Sequence, residues 1–290
     1  MDVSEKLSYH KRMLFGQIRA RFFRRLRWLR TVRGWQRVAT ALAGHTGAFT
    51  VTNDQIRFSG RLESHVDRQV YLFGGYEIEE IKTFVDRSPG KRVVLDIGAN
   101  VGTHSLIFAR HFQKVLSFDP NSLLWPLFRR NMALNPATNV TLYEVGVSDH
   151  SEQVLLYNIP GSNMALATFS AVEQYDQPLQ VQGSATAVVL DELLSDEPID
   201  AVKIDVQGFE PQVLRGMRRL LQRHRPLVWV EIADGTLAEI ETQRDLRGLF
   251  PYPINVHRFS HSPGIIRRKV TLEAYTGENL RAGDYLISAA

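Results

Sequence analysis

From residue 91 onward, short apolar runs alternate with longer stretches in which apolar side chains recur every three or four positions. The runs are VVLDI, KVLSFD, VTLYEVGV, AVKIDV and LVWVEI, with acids or polar residues at their C-terminal ends. Between most of them lie SLIFARHF, LLWPLFRRNMAL and EPQVLRGMRRLLQ, which carry the helical period. Alternation of this kind predicts an α/β fold, a parallel sheet with helices on both faces. Residues 150–190 interrupt it, because QVLLYNI, LQVQ and TAVVL read as a strand-rich insertion. INVHRF, KVTL and DYLISA read as closing strands that include an antiparallel pair. Ahead of the main body, AFTV and QIRF are strand-like, a helix follows the Gly74–Gly75 break, and SPGK at 88–91 marks a turn. The pattern divides the chain into an arm (1–44), a lead-in (45–90) and a main domain (91–290).

The arm has its own pattern. MLFGQIRARFFRRLRWLRTV places Leu14, Phe15, Ile18, Phe22, Leu26, Leu29 and Val32 on one helical face, with most arginines elsewhere on the wheel. Residues 1–44 hold eleven Lys+Arg against two acids, which leaves 24 basic and 29 acidic residues in the remainder of the +4 chain. A basic amphipathic helix fits an anionic membrane surface, where arginines meet headgroups and Phe22 and Trp28 enter the interface. It equally fits docking on the body or on a second copy of the chain, as in a homo-oligomer. An Arg-rich, acid-poor start also resembles an organelle transit peptide, although this one is poor in serine. No nucleic-acid partner is expected, since the rest of the chain is acidic. No apolar run reaches the roughly 18 to 20 residues that span a bilayer, and no secretory signal core is present, so the expected location is cytoplasmic, peripheral at a membrane surface if the arm adsorbs. The 290 residues, 44 % of them hydrophobic, suffice for a full core. The absence of cysteine removes disulfides, thiolate metal sites and a cysteine nucleophile.

The first strand runs into DIGANVGTHS, where a ligand of a doubly wound sheet would sit. Gly98 and Gly102 permit a sharp turn and close backbone approach. A dinucleotide would want G-x-G-x-x-G, and starting at Gly98 puts Asn100 and Thr103 where the second and third glycines belong. A pyrophosphate is therefore disfavoured, and with it a nicotinamide oxidoreductase. A nucleoside with a charged amino-acid tail fits better. Asp96 at the strand end would hold an ammonium directly or through water, and free N–H groups opening the next helix would suit a carboxylate. Asp119, twenty-one residues after Gly98, is placed to accept both hydroxyls of a ribose. The plainer reading of both acids is N-capping of the helices that follow.

D-x-G-A-N-x-G, Asp96 to Gly102, resembles the first motif of class I S-adenosylmethionine-dependent methyltransferases. The separated pieces LFGGYE, VVLDIGANVGTHS, FDPN, NMALNP, VGVSD, VVLDELL, IDAVKIDVQGFEPQVLRGM, RPLVWVEI and DYLIS resemble the FkbM-type members in order and spacing, from about residue 70 to the end. The resemblance implies a Rossmann-like, mostly parallel seven-stranded sheet, S-adenosylmethionine as methyl donor, and O-methylation of a sugar or polyketide hydroxyl. It points to Asp96, Gly98, Ala99, Asn100 and Gly102 for the donor loop, Asp119 for the ribose, and Ser148 with Asp149 near the adenine. With the basic arm it suggests a sugar or glycolipid hydroxyl as acceptor.

An alcohol acceptor must lose its proton as the new bond forms, which calls for a base within hydrogen-bond reach. Asp205 and Glu231 end the fourth and fifth strands and are the natural suppliers. Lys203 would share a face with Asp205 and keep it ionised. The resemblance implies an acid after DV where Gln207 stands; if that acid is the family's base, the chain is expected to be slow, altered in substrate or inactive unless Glu210, Glu231 or His104 substitutes. A non-catalytic interaction protein is the rival class. His104 on the first turn after the loop faces either the pocket or solvent. His257 and His261 lack ligand spacing, so no metal is expected. Trp229 reads as core, the Arg218, Arg219, Arg223, His224, Arg225 cluster as an answer to a helix dipole, and Asn163 and Phe169 as members of an acceptor-side loop. Replacing Asp119 by Ala should weaken donor binding by roughly 2 to 4 kcal/mol in calorimetry through loss of the ribose hydrogen bonds.

Overall fold

The computed structural model describes residues 18–29, 32, 34–43, 46–158, 180–237, 240, 246–262, 269–277 and 280–290. The chain divides into two compact units, one of residues 1–78 with 261–271 and one of residues 79–260 with 272–290. The 45–90 stretch is split between them: the strands AFTV and QIRF fall in the first unit and most of the helix after the glycine pair in the second.

In the first unit, helix α1 covers residues 18–25 and ends in a 3-10 turn at Arg27–Leu29. Helix α2 (Trp35–Leu42) follows. The single helix expected to run through to Val32 is thus broken, and its burial differs from the predicted face. Ala20 and Phe23 are the buried side chains, Phe23 packing 5.8 Å from the Trp35 ring, whereas Ile18 and Phe22 stay 53 % and 58 % exposed. The reason lies in what the helix packs on: Arg24 donates to the Tyr71 carbonyl (2.9 Å), so the docked face is the one carrying Ala20, Phe23 and Arg24. The two strand-like pieces are strands β1 (Ala48–Asn53) and β2 (Ile56–Arg61), which pair as an antiparallel hairpin. Its tip, Asp54 and Gln55, has φ of 46° and 68°, the left-handed pair whose twist matches that of the strands. Helix α3 (His65–Phe73) is capped by the Ser64 hydroxyl at its start and by left-handed Gly74 at its end. The hydrophobic pattern alone does not foresee α3.

In the second unit, α4 (Ile78–Arg87) leads into β3 (Val93–Ile97), α5 (Thr103–Phe108), β4 (Lys114–Phe118), α6 (Trp125–Ala133), β5 (Val140–Tyr143) and β6 (Gly146–Val147). Strands β7 (Glu152–Asn158) and β8 (Gln180–Val188) come next, then α7 (Leu190–Leu193), β9 (Ile199–Ile204), α8 (Glu210–Gly216), α9 (Arg218–His224) and β10 (Leu227–Ile232). The chain closes with β11 (Ile254–Ser262), β12 (Lys269–Ala274) and β13 (Gly283–Ala289). The main sheet has the order β12-β11-β13-β10-β9-β3-β4-β5. Strands β10, β9, β3, β4 and β5 are mutually parallel, and β13 inserts antiparallel between β10 and β11. The described sheet therefore holds eight strands where seven were expected, the extra one being the edge strand β12.

Every residue of β3 and β9 is buried, as parallel strands covered on both faces require. On one face Trp229 is packed by Phe84 of α4 (5.7 Å) and His104 of α5 (5.6 Å). On the other, Val228 and Val230 share a core with Val213, Leu214 and Leu221 of α8 and α9. The excursion is a separate three-stranded sheet, β6-β8-β7. VTLYEVGV, one apolar run, is cut at Glu144 so that its halves serve two sheets, because Gly146 and Val147 pair with β8 while Val140–Tyr143 pair with β4.

EPQVLRGMRRLLQ, read as one helix, is likewise cut, at Met217. Arg218 and Arg219 consequently begin α9, where cations do not answer the dipole. The helix start is satisfied instead by Asp191, which accepts from the backbone N–H of Arg219 and Leu220, both at 2.8 Å. Gly216 seats α8 against β6, for a Cβ there would lie 2.0 Å from the Ser148 carbonyl oxygen. Replacing Gly216 by Ala should destabilise the fold by about 1 to 3 kcal/mol in urea unfolding, and Gly183→Ala, where a Cβ meets nothing within 4 Å, should be close to neutral.

Candidate active site at the carboxyl ends of the strands

Strand register lines up the chemistry. Ser117 of β4 pairs with Asp96 of β3, Asp96 with Lys203 of β9, and Lys203 with Trp229 of β10. Paired residues of parallel strands project from the same face, so these four form one buried row. Two residues further along each strand come Gly98, Asp205 and Glu231, with Asp119 just past the end of β4. The alternation of the pleat thus brings the predicted acids to one end of the sheet.

The loop after β3 is closed by backbone geometry. Gly98, Asn100 and Gly102 have φ of 85°, 54° and 84°, all left-handed. At Gly98 the constraint is steric as well, since a Cβ would stand 1.8 Å from the Asp205 carbonyl oxygen. The N–H of Asp205 returns a 2.9 Å bond to the Ile97 carbonyl, which ties the loop to the end of β9. The N–H groups of residues 98–102 are engaged within the turn and its neighbours. Gly98 and Ala99 donate to the Phe118 carbonyl, Asn100 to Asp119 Oδ2 (2.8 Å), Val101 to the Asn100 side chain and Gly102 to the Ala99 carbonyl. Asn131 supports the turn from α6 with an Nδ2 bond to the Val101 carbonyl (3.0 Å).

Asp96 is fully buried. Its Oδ2 accepts the Ser105 hydroxyl, which also meets Ser117 Oγ at 2.9 Å, while Oδ1 has no hydrogen-bond partner among the described residues. Such an orphaned carboxylate oxygen is an acceptor waiting for a cationic or hydroxyl donor. Asp119 accepts from Asn100 and Asn121 through different oxygens (2.8 and 2.9 Å), so its carboxylate is oriented before any ligand arrives. Burial pushes the Asp119 carboxyl up to about 7. The two backbone donors oppose that rise, and the nearby charges of Asp96 and Asp205 add to it.

Asp205 is held differently. Burial would raise its pKa, but Lys203 Nζ at 3.1 Å from Oδ2 and Gln207 Nε2 at 2.8 Å from Oδ1 outweigh it and keep the carboxyl below its ordinary range. Lys203, 2 % exposed, also lies 5.4 Å from the centroid of the Trp229 ring. Trp229 is core, as its pattern predicts, yet its indole N–H donates to Asp284 of β13 at 2.7 Å. His104 faces inward, edge-on to Trp229. Burial first, then the Lys203 charge, push it down to about 3, so it stays neutral and is a feeble base. Glu210 has both carboxylate oxygens engaged. It is 1 % exposed, its Oε1 accepts the Gly208 N–H and its Oε2 the Thr236 hydroxyl. Glu231 ends on the Trp229 face of β10, opposite Asp284 of β13.

Ser148 is fully buried in β6's extension and its N–H joins the Val188 carbonyl, while Asp149 is engaged by Arg215 Nε (2.6 Å) and His150 (2.8 Å). Asn163 and Phe169 lie outside the described residues. Sequence reasoning missed Ser105, Ser117, Asn131 and Asp284. Ser105 alone left a signal, being three residues past the left-handed Gly102 and so on the first turn of α5.

An open sheet whose parallel core meets the antiparallel strand β13 and whose first loop is left-handed belongs to the Rossmann-like α/β class, whose ligands sit beyond the carboxyl ends of the strands. Residues 96–259 match the Methyltransferase FkbM domain, more than half of the chain, and the chain belongs to that family. It is 30 % identical over 160 residues to Methyltransferase sdnD of Sordaria araneosa, covering 44 % of this chain and 61 % of that protein. It is 28 % identical over 151 residues to Hexuronic acid methyltransferase AglP of Haloferax volcanii, covering 50 % and 58 %. The match thus spans about three fifths of the length of these relatives. The solved structure of Methyltransferase FkbM from Methylobacillus flagellatus aligns with a TM-score of 0.41 at 18 % identity, over 71 % of this chain and 52 % of that one.

A carboxyl raised by folding contributes stability that is whole below its unfolded pKa and is lost as pH rises through its folded one. Asp119 therefore weakens the unliganded fold between about pH 4 and 7. Asp119→Asn should gain stability relative to the native chain as urea unfolding is repeated from pH 4 to pH 8, on top of any constant offset.

Proposed function

We propose that the chain moves a methyl group from S-adenosylmethionine to a hydroxyl of a sugar. The observation that carries the donor assignment is the buried Asp96, one oxygen unpartnered, beside a left-handed glycine loop whose Asn100 N–H orients Asp119. These residues fit the donor. Asp96 would meet the ammonium, and Asp119 the ribose hydroxyls once it is ionised. When bound, the sulfonium supplies an already activated methyl group for in-line displacement.

The chain's own tasks are then alignment, exclusion of water and custody of one proton. An acceptor hydroxyl that takes the methyl group would give up its proton to a nearby carboxylate. Asp205 is the best-supported recipient. It is 21 % exposed at its side chain, ionised, and oriented on both oxygens by Lys203 and Gln207. Membership of the FkbM family supports methyl transfer, and the hexuronic acid named for one relative supports a sugar acceptor.

A second reading, donor binding with little turnover, draws on Gln207. Its amide donates to Asp205 Oδ1 and lowers the basicity of the carboxylate that must take the proton. The two readings part on one pair of variants. Asp205→Asn should lower kcat on a sugar acceptor with a free hydroxyl by about 10²- to 10⁴-fold with S-adenosylhomocysteine affinity little changed. Gln207→Glu should bring a second carboxylate against Asp205, raise its pKa and move the acid limb of the pH–rate profile upward. Absence of methyl transfer to any of a panel of uronic and neutral sugars, by a chain that binds S-adenosylhomocysteine, leaves the donor-binding reading standing.

A further inference from the structure

The first unit contains a cavity of about 660 Å³ that takes no residue from the strand-end site. Arg21, Arg24, Arg25 and Arg27 line it, together with Phe49 and Tyr71, and among the described residues no carboxylate lines it. Gathering four guanidinium groups around one space without a counter-charge is unfavourable unless something anionic enters it.

Local hydrogen bonding shows the same shortage of negative charge. Arg24 and Arg27 both donate to a single neutral oxygen, Asn53 Oδ1, at 3.2 and 2.7 Å, and Asn53 is 4 % exposed. Burial and the neighbouring Arg27 together depress the Arg24 pKa. Arg24 is nonetheless fixed, by its bond to the Tyr71 carbonyl and by lying 5.2 Å from the Tyr71 ring centroid, over a floor in which the Phe49 and Tyr71 rings are 4.8 Å apart. Arg21 and Arg25 are exposed at the mouth.

We infer that this cavity is a binding site for a phosphate-bearing group, a pyrophosphate or phosphomonoester. Planar guanidinium forks suit phosphate oxygens, and a doubly charged group would relieve the crowding of Arg24 and Arg27 on Asn53. The ligand is either a soluble phosphate compound or a lipid headgroup. The second source is suggested by the same segment's outward apolar side chains, Phe22 and Trp28, 58 % and 68 % exposed, which are of the kind that enters a lipid interface.

The test uses the full chain with inorganic pyrophosphate in calorimetry, and with vesicles of phosphatidic acid in phosphatidylcholine in sedimentation. The variant is Arg21→Gln with Arg25→Gln, since both residues are exposed. S-adenosylhomocysteine binding and the melting temperature serve as folding controls. Pyrophosphate binding by the native chain that falls at least tenfold in the variant supports the site. Added sedimentation with phosphatidic acid, lost in the variant and in Phe22→Ser with Trp28→Ser, assigns the lipid source, while pyrophosphate binding without sedimentation assigns the soluble one. The inference is overturned if neither probe binds, or if binding survives Arg21→Gln with Arg25→Gln unchanged. S-adenosylhomocysteine affinity reads the other site, so failure here leaves the proposed methyl transfer untouched.

Discussion

The contact on which the candidate site depends is between two backbone segments. Gly98 turns so close to the end of β9 that its missing Cβ would overlap the Asp205 carbonyl, and the Asp205 N–H bonds back to Ile97. That pair of constraints ties the first loop of the sheet to the residue best placed to take a proton. It also explains why the loop's N–H groups are consumed internally. A turn this tight folds Gly98 and Ala99 onto the Phe118 carbonyl and Asn100 onto Asp119, so the backbone orients that acid.

The electrostatics follow from burying a row of unlike groups across three strands. Asp96, Lys203 and Trp229 sit side by side, with His104 laid over them. Lys203 is the pivot. Burial first and then its charge depress His104, while the same charge with the Gln207 amide depresses Asp205 against burial, so one stays neutral and the other ionised. Asp119, which has only backbone donors, moves the opposite way. Acids of similar appearance in the sequence are thereby separated into one that holds its charge and one that gains it near neutrality.

Much of this was legible before folding was considered. The alternation of runs and helices, the strand-rich insertion and the antiparallel closing strands are all present in the structure, because the periodicities of 2 and 3.6 report directly on which faces are covered. The pairing of Lys203 with Asp205 was legible for the same reason, being a two-residue spacing on one strand. Failures occurred where a single apolar run serves two partners. VTLYEVGV contributes to two sheets, EPQVLRGMRRLLQ is two helices, and the arm buries Phe23 where the wheel favoured Phe22. Hydrophobic pattern measures how much apolar surface an element has, not which neighbour covers it.

By itself, then, the sequence determined the class of fold, the positions of the strand ends and the identity of the acids gathered there, since those follow from local periodicity and from residues that tolerate a left-handed backbone. Tertiary structure alone decided the protonation and engagement of each acid. Glu210 is engaged by Gly208 and Thr236, Asp96 is left with an oxygen that has no partner among the described residues, and four arginines of the arm converge on one cavity. Burial, charge and hydrogen-bond supply are properties of neighbours brought together from distant parts of the chain, and no local pattern encodes them.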